Sequence, residues 1–367
     1  MKHSKHTDLI SSIQFAGIIA STIIGVTLLA LPRIIVAEVG EAAIIVSITG
    51  LMISFISLMA LILLGKKYPN HTIMGCNRML LGKFIGTFFN CLIVILAIII
   101  MGFEVREFAE VLANGLLPNT PIEISIILMI IVCALAGFHN VSTFAYIHFF
   151  YLPFILTPVI LFFLAFEDIK VYHFLPILGH NLSFKEFMHG ALNMASAITN
   201  FYVIAMLSPY IKDYNKSLKH GIWGFFLGGA TIIYTIVVSL GVFGVVELHK
   251  FYWPVLSLSR IIEIPGEVLS RVDAIVLINW IFAVFTTLLS YYFVIVRGTA
   301  EIFRTDKYHF IATLMVPVVF IVALVPNNIY EIYRYGIKVA GFAMILYIIL
   351  PISLFIIGRI RKKVGMQ

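Results

Sequence analysis

The sequence is poor in charged residues. Only 12% of its 367 residues are Asp, Glu, Lys or Arg, whereas 61% are hydrophobic, and its mean hydropathy is +1.05. Soluble domains carry about 25% charged residues, so a soluble enzyme or binding domain is excluded. The apolar runs are also continuous, whereas strands of a membrane barrel would alternate apolar and polar residues. The composition therefore predicts an all-α polytopic membrane protein.

Motifs for cofactors and catalysis are also missing. The three cysteines show no CxxC spacing, and the sequence has no HExxH, GxSxG or P-loop pattern. We therefore expect no cofactor, no metal site and no enzymatic activity. The net charge of +7 comes without a basic stripe interleaved with aromatic residues, so nucleic acid is not an expected partner. The basic residues lie mostly between apolar runs, where the lipid bilayer is their natural partner.

Ten largely uncharged runs predict ten transmembrane helices, with residues 1–367 forming a single transmembrane domain. The fourth and fifth runs are continuous, and we divide them at 137–140 because Gly and Asn mark turns. The predicted spans are 11–36, 42–64, 84–112, 121–137, 141–166, 186–211, 217–246, 273–300, 308–326 and 335–358.

The loop charges predict that both termini lie on the cytoplasmic side. Sixteen of the 25 Lys and Arg residues would lie inside, among them Lys2, Lys5 and the run 361–363. Five spans in each half force the second half to begin on the opposite side of the membrane. This arrangement predicts an inverted repeat, with repeat one at about 11–166 and repeat two at about 186–358.

The first span has an unusual centre, in which Gly25 is flanked by Thr22 and Thr27. Glycine tolerates non-helical backbone, and threonine hydroxyls satisfy freed backbone groups. Gly25 is therefore either a packing notch or a break that builds a ligand site. The counterpart stretch in the sixth span, 195–200, is also a short polar patch. This symmetry favours the break.

Few charged or titratable groups fall within the spans. Glu104, Arg106 and Glu107 lie at the outer end of the third span, where we expect them to be solvated vestibule residues. An internal ion pair or a site for a charged solute are the alternatives. No carboxylate is expected at the membrane centre, which argues against a proton-coupled carrier. His148 and His189 are interpreted as packed or interfacial residues.

The outer loop at 247–271 mixes aromatic and charged residues and contains Pro254 and Pro265. It predicts short helices at the membrane interface, because Trp and Tyr favour that depth. A substrate-gating lid is the alternative.

Three stretches resemble the spore germination receptor B subunits, which belong to the amino acid–polyamine–organocation transporter superfamily. These are IIGVTLLALPR at 23–33, LLPNTPIEI at 116–124 and LSRVDAIVLINWIFAVF at 269–285. The resemblance extends through nearly the whole chain. It implies a LeuT-type 5+5 fold with a small-molecule site among the first, third, sixth and eighth helices. The residues at these positions are Thr22, Ile24, Gly25, Val26, Thr27, Ile98, Met101, Gly102, Ser196, Thr199, Asn200, Thr286, Thr287 and Ser290.

The resemblance also implies a function and partners. The chain would sense a nutrient germinant in the inner spore membrane and signal to a large A subunit and a lipoprotein C subunit. A small amino acid or similar neutral solute is the expected ligand, because few charges line the implied site. A stand-alone amino acid permease and a channel-forming receptor subunit are the alternatives.

One departure from the family pattern bears on this choice. Active carriers of the superfamily commonly have a glycine at the sixth-helix break, which ALNMASAITNFYV at 191–203 lacks. The missing glycine and the expected lack of a central carboxylate favour a receptor, which responds to ligand without completing a transport cycle.

Overall fold

The computed structural model describes residues 8–180, 182–262 and 271–364, with the side chains of 361–364 left aside. The sequence predictions that concern Lys2, Lys5, Pro265, the first two residues of the 269–285 motif and the basic side chains at 361–363 lie outside the described residues.

The described chain is built from α-helices joined by short turns. Several connections are 3₁₀ turns, and one π-helical stretch, Met344–Ile349, joins the last two helices. The α-helices are α1 (Ser12–Ile23), α2 (Leu31–Val39), α3 (Ala43–Lys67), α4 (Ile73–Leu81), α5 (Lys83–Gly115), α6 (Ile122–Gly137), α7 (Val141–Leu161), α8 (Phe184–Ala197), α9 (Ile204–Leu207), α10 (Tyr214–Leu248), α11 (Pro254–Ile261), α12 (Val272–Phe303), α13 (Tyr308–Ala323), α14 (Ile329–Ala343) and α15 (Leu350–Val364).

Helices lie at each of the predicted spans. Six helical segments in the described residues are long and apolar enough to cross a bilayer, and a bent pair, Phe184–Ala197 with Thr199–Tyr210, makes seven. The shorter apolar helices α1, α6 and α13 occupy the remaining predicted positions. The protein is therefore a multi-pass α-helical membrane protein, and the count of ten crossings stays a prediction.

The predicted interruption of the first span is confirmed. Helix α1 ends at Ile23, Gly25 is extended (φ −106°, ψ −151°), and a 3₁₀ turn follows at Val26–Leu29. Helix α2 then begins at Leu31 with Pro32 in its first turn, where a missing N–H costs no hydrogen bond. Gly25 and Pro32 thus give this break a local cause in the sequence.

The sixth span is also broken, without a glycine. Helix α8 begins with a capping box formed by Ser183 and Glu186 and ends at Ala197. The chain continues as a 3₁₀ turn at Thr199–Val203, and the two halves are bent by 47°. At the bend, the Thr199 hydroxyl donates to the Ser196 carbonyl at 2.7 Å. This side chain satisfies a carbonyl freed by the break, as hydroxyls do inside membranes.

The packing brings the two breaks together. Helix α1 packs against α7, α10 and α12, and the 3₁₀ turn of the sixth span contacts α1 and α12. The turn at Val26–Leu29 contacts α5 and α12. The two interrupted segments therefore meet between α5 and α12, inside the helix bundle.

Two local predictions have a clear outcome. The division of the fourth and fifth spans is confirmed, because α6 ends at Gly137 and the Asn140 side chain caps α7. The short helix in the outer loop is confirmed as α11. The connection between the second and third predicted spans contains α4, whose Asn77 side chain donates to Asn90 Oδ1 on α5 at 2.7 Å. That contact between helices is not visible in the local sequence.

Candidate ligand site between the broken helices

The backbone at Gly25 approaches two other helices closely. A Cβ added to Gly25 would lie 2.7 Å from Thr287 Oγ1 on α12 and 3.2 Å from Asn200 Nδ2 in the sixth span. Real Cβ atoms do not come as close as the first of these distances, so any other residue would displace Thr287. The absence of a side chain at Gly25 therefore lets the first, sixth and eighth helices meet at one point.

Hydrogen bonds join the same three helices. The Thr287 hydroxyl donates to the Thr22 carbonyl at 3.4 Å, and the Tyr291 hydroxyl donates to Asn200 Oδ1 at 2.6 Å. Asn200 is 5% exposed, and its Nδ2 has no hydrogen-bond partner among the described residues. A buried donor without an acceptor costs free energy. Asn200 therefore presents an unused donor beside the break at Gly25.

A buried carboxylate lies next to this donor. Glu104 on α5 is 7% exposed and lies beside Asn200 and Tyr291. Its Oε2 has no hydrogen-bond partner within the described chain. A buried carboxylate therefore lies at the site, where few charged groups were expected, and the lack of a carboxylate at the membrane centre stays a prediction. The signal was present in the sequence, because α5 continues for three turns beyond Glu104 to Gly115.

The neighbouring charges are buried as well. Arg106 forms an ion pair with Glu110 at 2.9 Å and donates to the Asn327 carbonyl at 2.9 Å. The Tyr333 hydroxyl donates to Glu107 Oε1 at 2.9 Å. The expectation that these residues are solvated in a vestibule is wrong, and the alternative of an internal ion pair is confirmed for Arg106. Unpaired charge at this depth is costly, which is why each group has a partner.

Three predicted site residues make contacts that do not involve Gly25. A Cβ on Gly102 would lie 2.6 Å from Val322 Cγ1, so Gly102 packs against the end of α13. The Ser196 hydroxyl donates to the Ala340 carbonyl on α14 at 3.1 Å, and Thr286 donates within its own helix to Ala283. The predicted contact of these three residues with a ligand stays a prediction.

The other predicted residues lie near the break or on its supporting helices. Ile24 and Val26 are buried at the break, and Thr27 Oγ1 is buried without a hydrogen-bond partner. Met101 is fully buried on α5, three residues before Glu104 and therefore on the same face, and Ile98 is partly buried one turn earlier.

Ser290 connects to a residue that the sequence analysis did not place in the site. Its hydroxyl contacts His148 Nε2 at 3.2 Å, and His148 Nδ1 contacts Ser21 Oγ on α1 at 2.7 Å. The interpretation of His148 as a packed residue is confirmed. His189 instead contacts Glu38, and its side chain is 64% exposed.

The groups at the break that lack a hydrogen-bond partner in the described chain include both donors and an acceptor. Val26 and Thr27 begin the 3₁₀ turn, and their N–H groups make no hydrogen bond to a preceding carbonyl in the described chain. Together with Asn200 Nδ2 they offer donors for an anionic group, and Glu104 offers an acceptor for a cationic one. A small zwitterion has both groups. The arrangement contains chemistry for binding such a solute.

Comparisons with known proteins agree with this fold and site. A family described as "Spore germination protein" matches residues 9–332. Spore germination proteins B2 and A2 of Bacillus subtilis are each 26% identical to the chain; the B2 alignment covers 100% of the chain and 99% of the relative, and the A2 alignment 98% of each. Spore germination protein YndE of the same organism is 23% identical, over 97% of the chain and 98% of the relative.

Solved transporter structures share the fold. Mhp1, a nucleobase-cation-symport-1 transporter crystallised with bromovinylhydantoin, superposes with a TM-score of 0.67 at 13% identity, over 92% of the chain and 75% of Mhp1. A Na⁺-coupled sialic acid symporter gives a TM-score of 0.65 at 9% identity, over 93% of the chain and 79% of the symporter. At these identities the likeness establishes the fold alone. The chain belongs to the spore germination protein family and has the LeuT-type transporter fold.

Proposed function

We propose that the protein is the nutrient-sensing membrane subunit of a spore germination receptor. The observation that carries the proposal is a pair of buried groups at the Gly25 break, Asn200 Nδ2 and Glu104 Oε2, for which the described residues provide no hydrogen bond of normal geometry. Buried polar atoms without partners are rare in native structures, and a ligand is a common explanation. Family membership supports germination as the process in which this site acts.

The ligand is a small amino acid or a similar zwitterion. Its carboxylate would bind the N–H groups of Val26 and Thr27 and the Asn200 amide, and its ammonium group would bind Glu104. Because Gly25 lies so close to Thr287, binding would change the spacing between α1 and α12. The change would pass to an A subunit and a lipoprotein C subunit in the inner spore membrane. Both termini of the chain would lie on the core side.

Spores in which this gene is deleted should lose their response to one defined nutrient and keep chemically forced germination. Asn200→Ala should raise the half-saturating nutrient concentration about tenfold, the equivalent of about 1.4 kcal/mol. Glu104→Gln should raise it at least as much, because it removes a charge-assisted contact. Asn114→Ala is the control, because the exposed Asn114 bonds only to its own helix. An unchanged response in the deletion strain, with no paralogous gene present, would reject the proposal.

A stand-alone amino acid permease is the second candidate, and Glu104 is the observation that favours it. Proton-coupled carriers use an ionisable group inside the membrane, and Glu104 supplies one at the broken helices. Purified protein in liposomes would then accumulate labelled amino acid under a proton gradient without other subunits. If neither uptake nor exchange is detected across a broad amino acid panel, this candidate is rejected and the proposed receptor function is unaffected.

A further inference from the structure

The side chain of His148 is fully buried in α7 and touches two helices of the candidate site. Its Nδ1 lies 2.7 Å from Ser21 Oγ on α1, and its Nε2 lies 3.2 Å from Ser290 Oγ on α12. Helix α1 is the half-helix that ends at the Gly25 break, and α12 carries Thr287. The imidazole is therefore a hydrogen-bonded bridge between the two helices whose spacing defines the site.

The surrounding hydrogen bonds assign one neutral tautomer to this ring. Ser290 donates its hydroxyl proton to the Thr286 carbonyl at 3.0 Å, so its oxygen accepts from Nε2–H. The bare Nδ1 then accepts from Ser21, whose contact with the ring is shorter than its 3.3 Å contact with the Ile18 carbonyl. Each donor in the hydrogen-bonded series Ser21–His148–Ser290 therefore has an acceptor. The bridge is complete when the imidazole is neutral.

The described residues of α1, α7 and α12 do not offer the ring a counter-charge. Helix α1 contains no Asp, Glu, Lys or Arg. On α12, the Tyr291 and Tyr292 hydroxyls donate elsewhere, to Asn200 and Ala312, and on α5 Glu104 lies beside Asn200. Arg297 is held over the rings of Tyr308 and Phe293 at 4.0 and 5.6 Å. On α7 itself, Tyr146 is exposed and Tyr151 stacks on Phe282. A positive charge on the packed imidazole would therefore be buried without a partner, at a cost in free energy.

A cavity of about 460 Å³ approaches His148 from the side predicted to be cytoplasmic. Phe293, Arg297 and Tyr308 belong to its lining. The Phe293 ring packs on Phe144 at 4.7 Å, and Phe144 packs on His148 at 4.5 Å. Two aromatic rings thus separate the imidazole from the cavity. Movement of α1 away from α12 would take Ser21 away from Nδ1 and leave that nitrogen free for water and a proton.

We propose that His148 is a proton-binding site that couples protonation to the separation of α1 from α12. In the packed arrangement the neutral ring holds the two helices together through Ser21 and Ser290. After separation the ring is hydrated and binds a proton. Because the proton binds the separated arrangement more tightly, lower pH shifts the equilibrium toward it. This proton site goes beyond the proposed nutrient binding, and its test requires no nutrient.

The test measures the distance between α1 and α12 in the full chain, reconstituted in lipid nanodiscs, by electron–electron double resonance. Spin labels replace Ile13 and Phe303, which are 57% and 74% exposed at the ends of these helices, after the native cysteines are replaced. The mean distance should increase as the pH falls from 8 to 5. His148→Gln should remove this dependence, because the amide retains a donor and an acceptor but does not titrate. His309→Gln is the control, because His309 packs on Phe138 outside the bridge and the substitution should leave the pH dependence unchanged.

Two outcomes would overturn the proposal. One is a distance in the unsubstituted labelled protein that does not change with pH. The other is a pH dependence that persists in His148→Gln and disappears in Glu104→Gln, which would place the proton on the carboxylate. If His148→Gln does not fold, Ser21→Ala decides instead. This substitution removes the hydrogen bond that only the neutral ring accepts and so weakens the packed arrangement. The pH midpoint of the distance change should therefore move to a higher value, and an unchanged midpoint would contradict the proposal.

Discussion

At Gly25, the backbone of one helix touches side chains from two others, and a methyl group there would collide with Thr287 Oγ1 at 2.7 Å. Gly25→Ala should displace Thr287 and break its hydrogen bond to the Thr22 carbonyl. Overpacking costs about 1–3 kcal/mol, so we expect the half-saturating nutrient concentration of mutant spores to rise about tenfold or more.

The matched control for this substitution is Gly336→Ala, because a Cβ at Gly336 meets nothing within 4 Å. Alanine in an exposed helical position is neutral or slightly stabilising, so the control spores should respond like the parent strain. An unchanged nutrient response in Gly25→Ala spores, with the protein present at normal level, would contradict the assignment of the site to this break.

The residues of the site differ in how far the sequence alone could identify them. Gly25 was recognisable because glycine between two threonines is unusual in an apolar run. Glu104 was seen but interpreted as solvated, because the sequence does not report that Asn200 comes to lie beside it. Gly102 was placed in the site by its position along α5, but a Cβ added to Gly102 would point toward Val322. The rotation of a buried helix depends on its neighbours, and the local sequence does not contain them.

At the scale of elements, proline, glycine and asparagine in the sequence predicted where helices begin and end, but not how the helices pack against one another. Pro32 and Gly25 mark the first break, and Asn140 marks the start of α7. The break in the sixth span has no such residue and depends on the hydrogen bond of Thr199 to Ser196. The 47° bend and the contact between the two breaks are consequences of tertiary packing.

A short backbone bridge ties the start of α1 to the end of the sixth span. The Ile10 N–H donates to the Tyr210 carbonyl at 2.7 Å, and the Lys212 N–H donates to the Ile10 carbonyl at 3.2 Å. Lys212→Pro removes the second donor, and Ile211 is already extended (φ −79°, ψ 121°), as a residue before proline must be. We expect a loss of about 0.5–1.5 kcal/mol of stability, measured by thermal unfolding in nanodiscs.

The control is Lys212→Ala, which keeps the N–H group and removes only an exposed side chain. Its stability should stay within about 0.5 kcal/mol of the parent protein, as for most surface substitutions. Equal losses in the two variants would show that the lysine side chain matters and that the bridge does not.

For the whole molecule, composition and hydropathy were sufficient for the class and the order of the helices. They were not sufficient for the electrostatics of the interior. Arg106, Glu107 and Glu104 are all less than 9% exposed, although sequence position favoured solvent. Their burial depends on partners far away in the chain, such as Tyr333 and Asn327. Such partners are defined only when the bundle is assembled.

The assembled bundle also has a clamp on the side opposite the cavity. The Arg33 guanidinium on α2 lies 4.8 Å from the ring centroid of Tyr252 and 5.9 Å from that of Tyr333 on α14. Tyr252 precedes α11, so the clamp joins three separate elements across the predicted outer face. Cation–π contacts contribute about 0.5–1 kcal/mol each at exposed sites. The clamp therefore holds these three elements together, and we expect it to favour an arrangement in which the outer side of the site is closed.

Arg33→Ala should weaken this closed arrangement and make the site easier to reach from outside. A loss of about 1 kcal/mol corresponds to a decrease of about fivefold in the half-saturating nutrient concentration of spores. Tyr252→Leu should have a similar effect, whereas Tyr252→Phe keeps the aromatic face and should leave the response near that of the parent strain. A higher half-saturating concentration in Arg33→Ala spores would instead indicate that Arg33 binds the nutrient, and the clamp would be rejected.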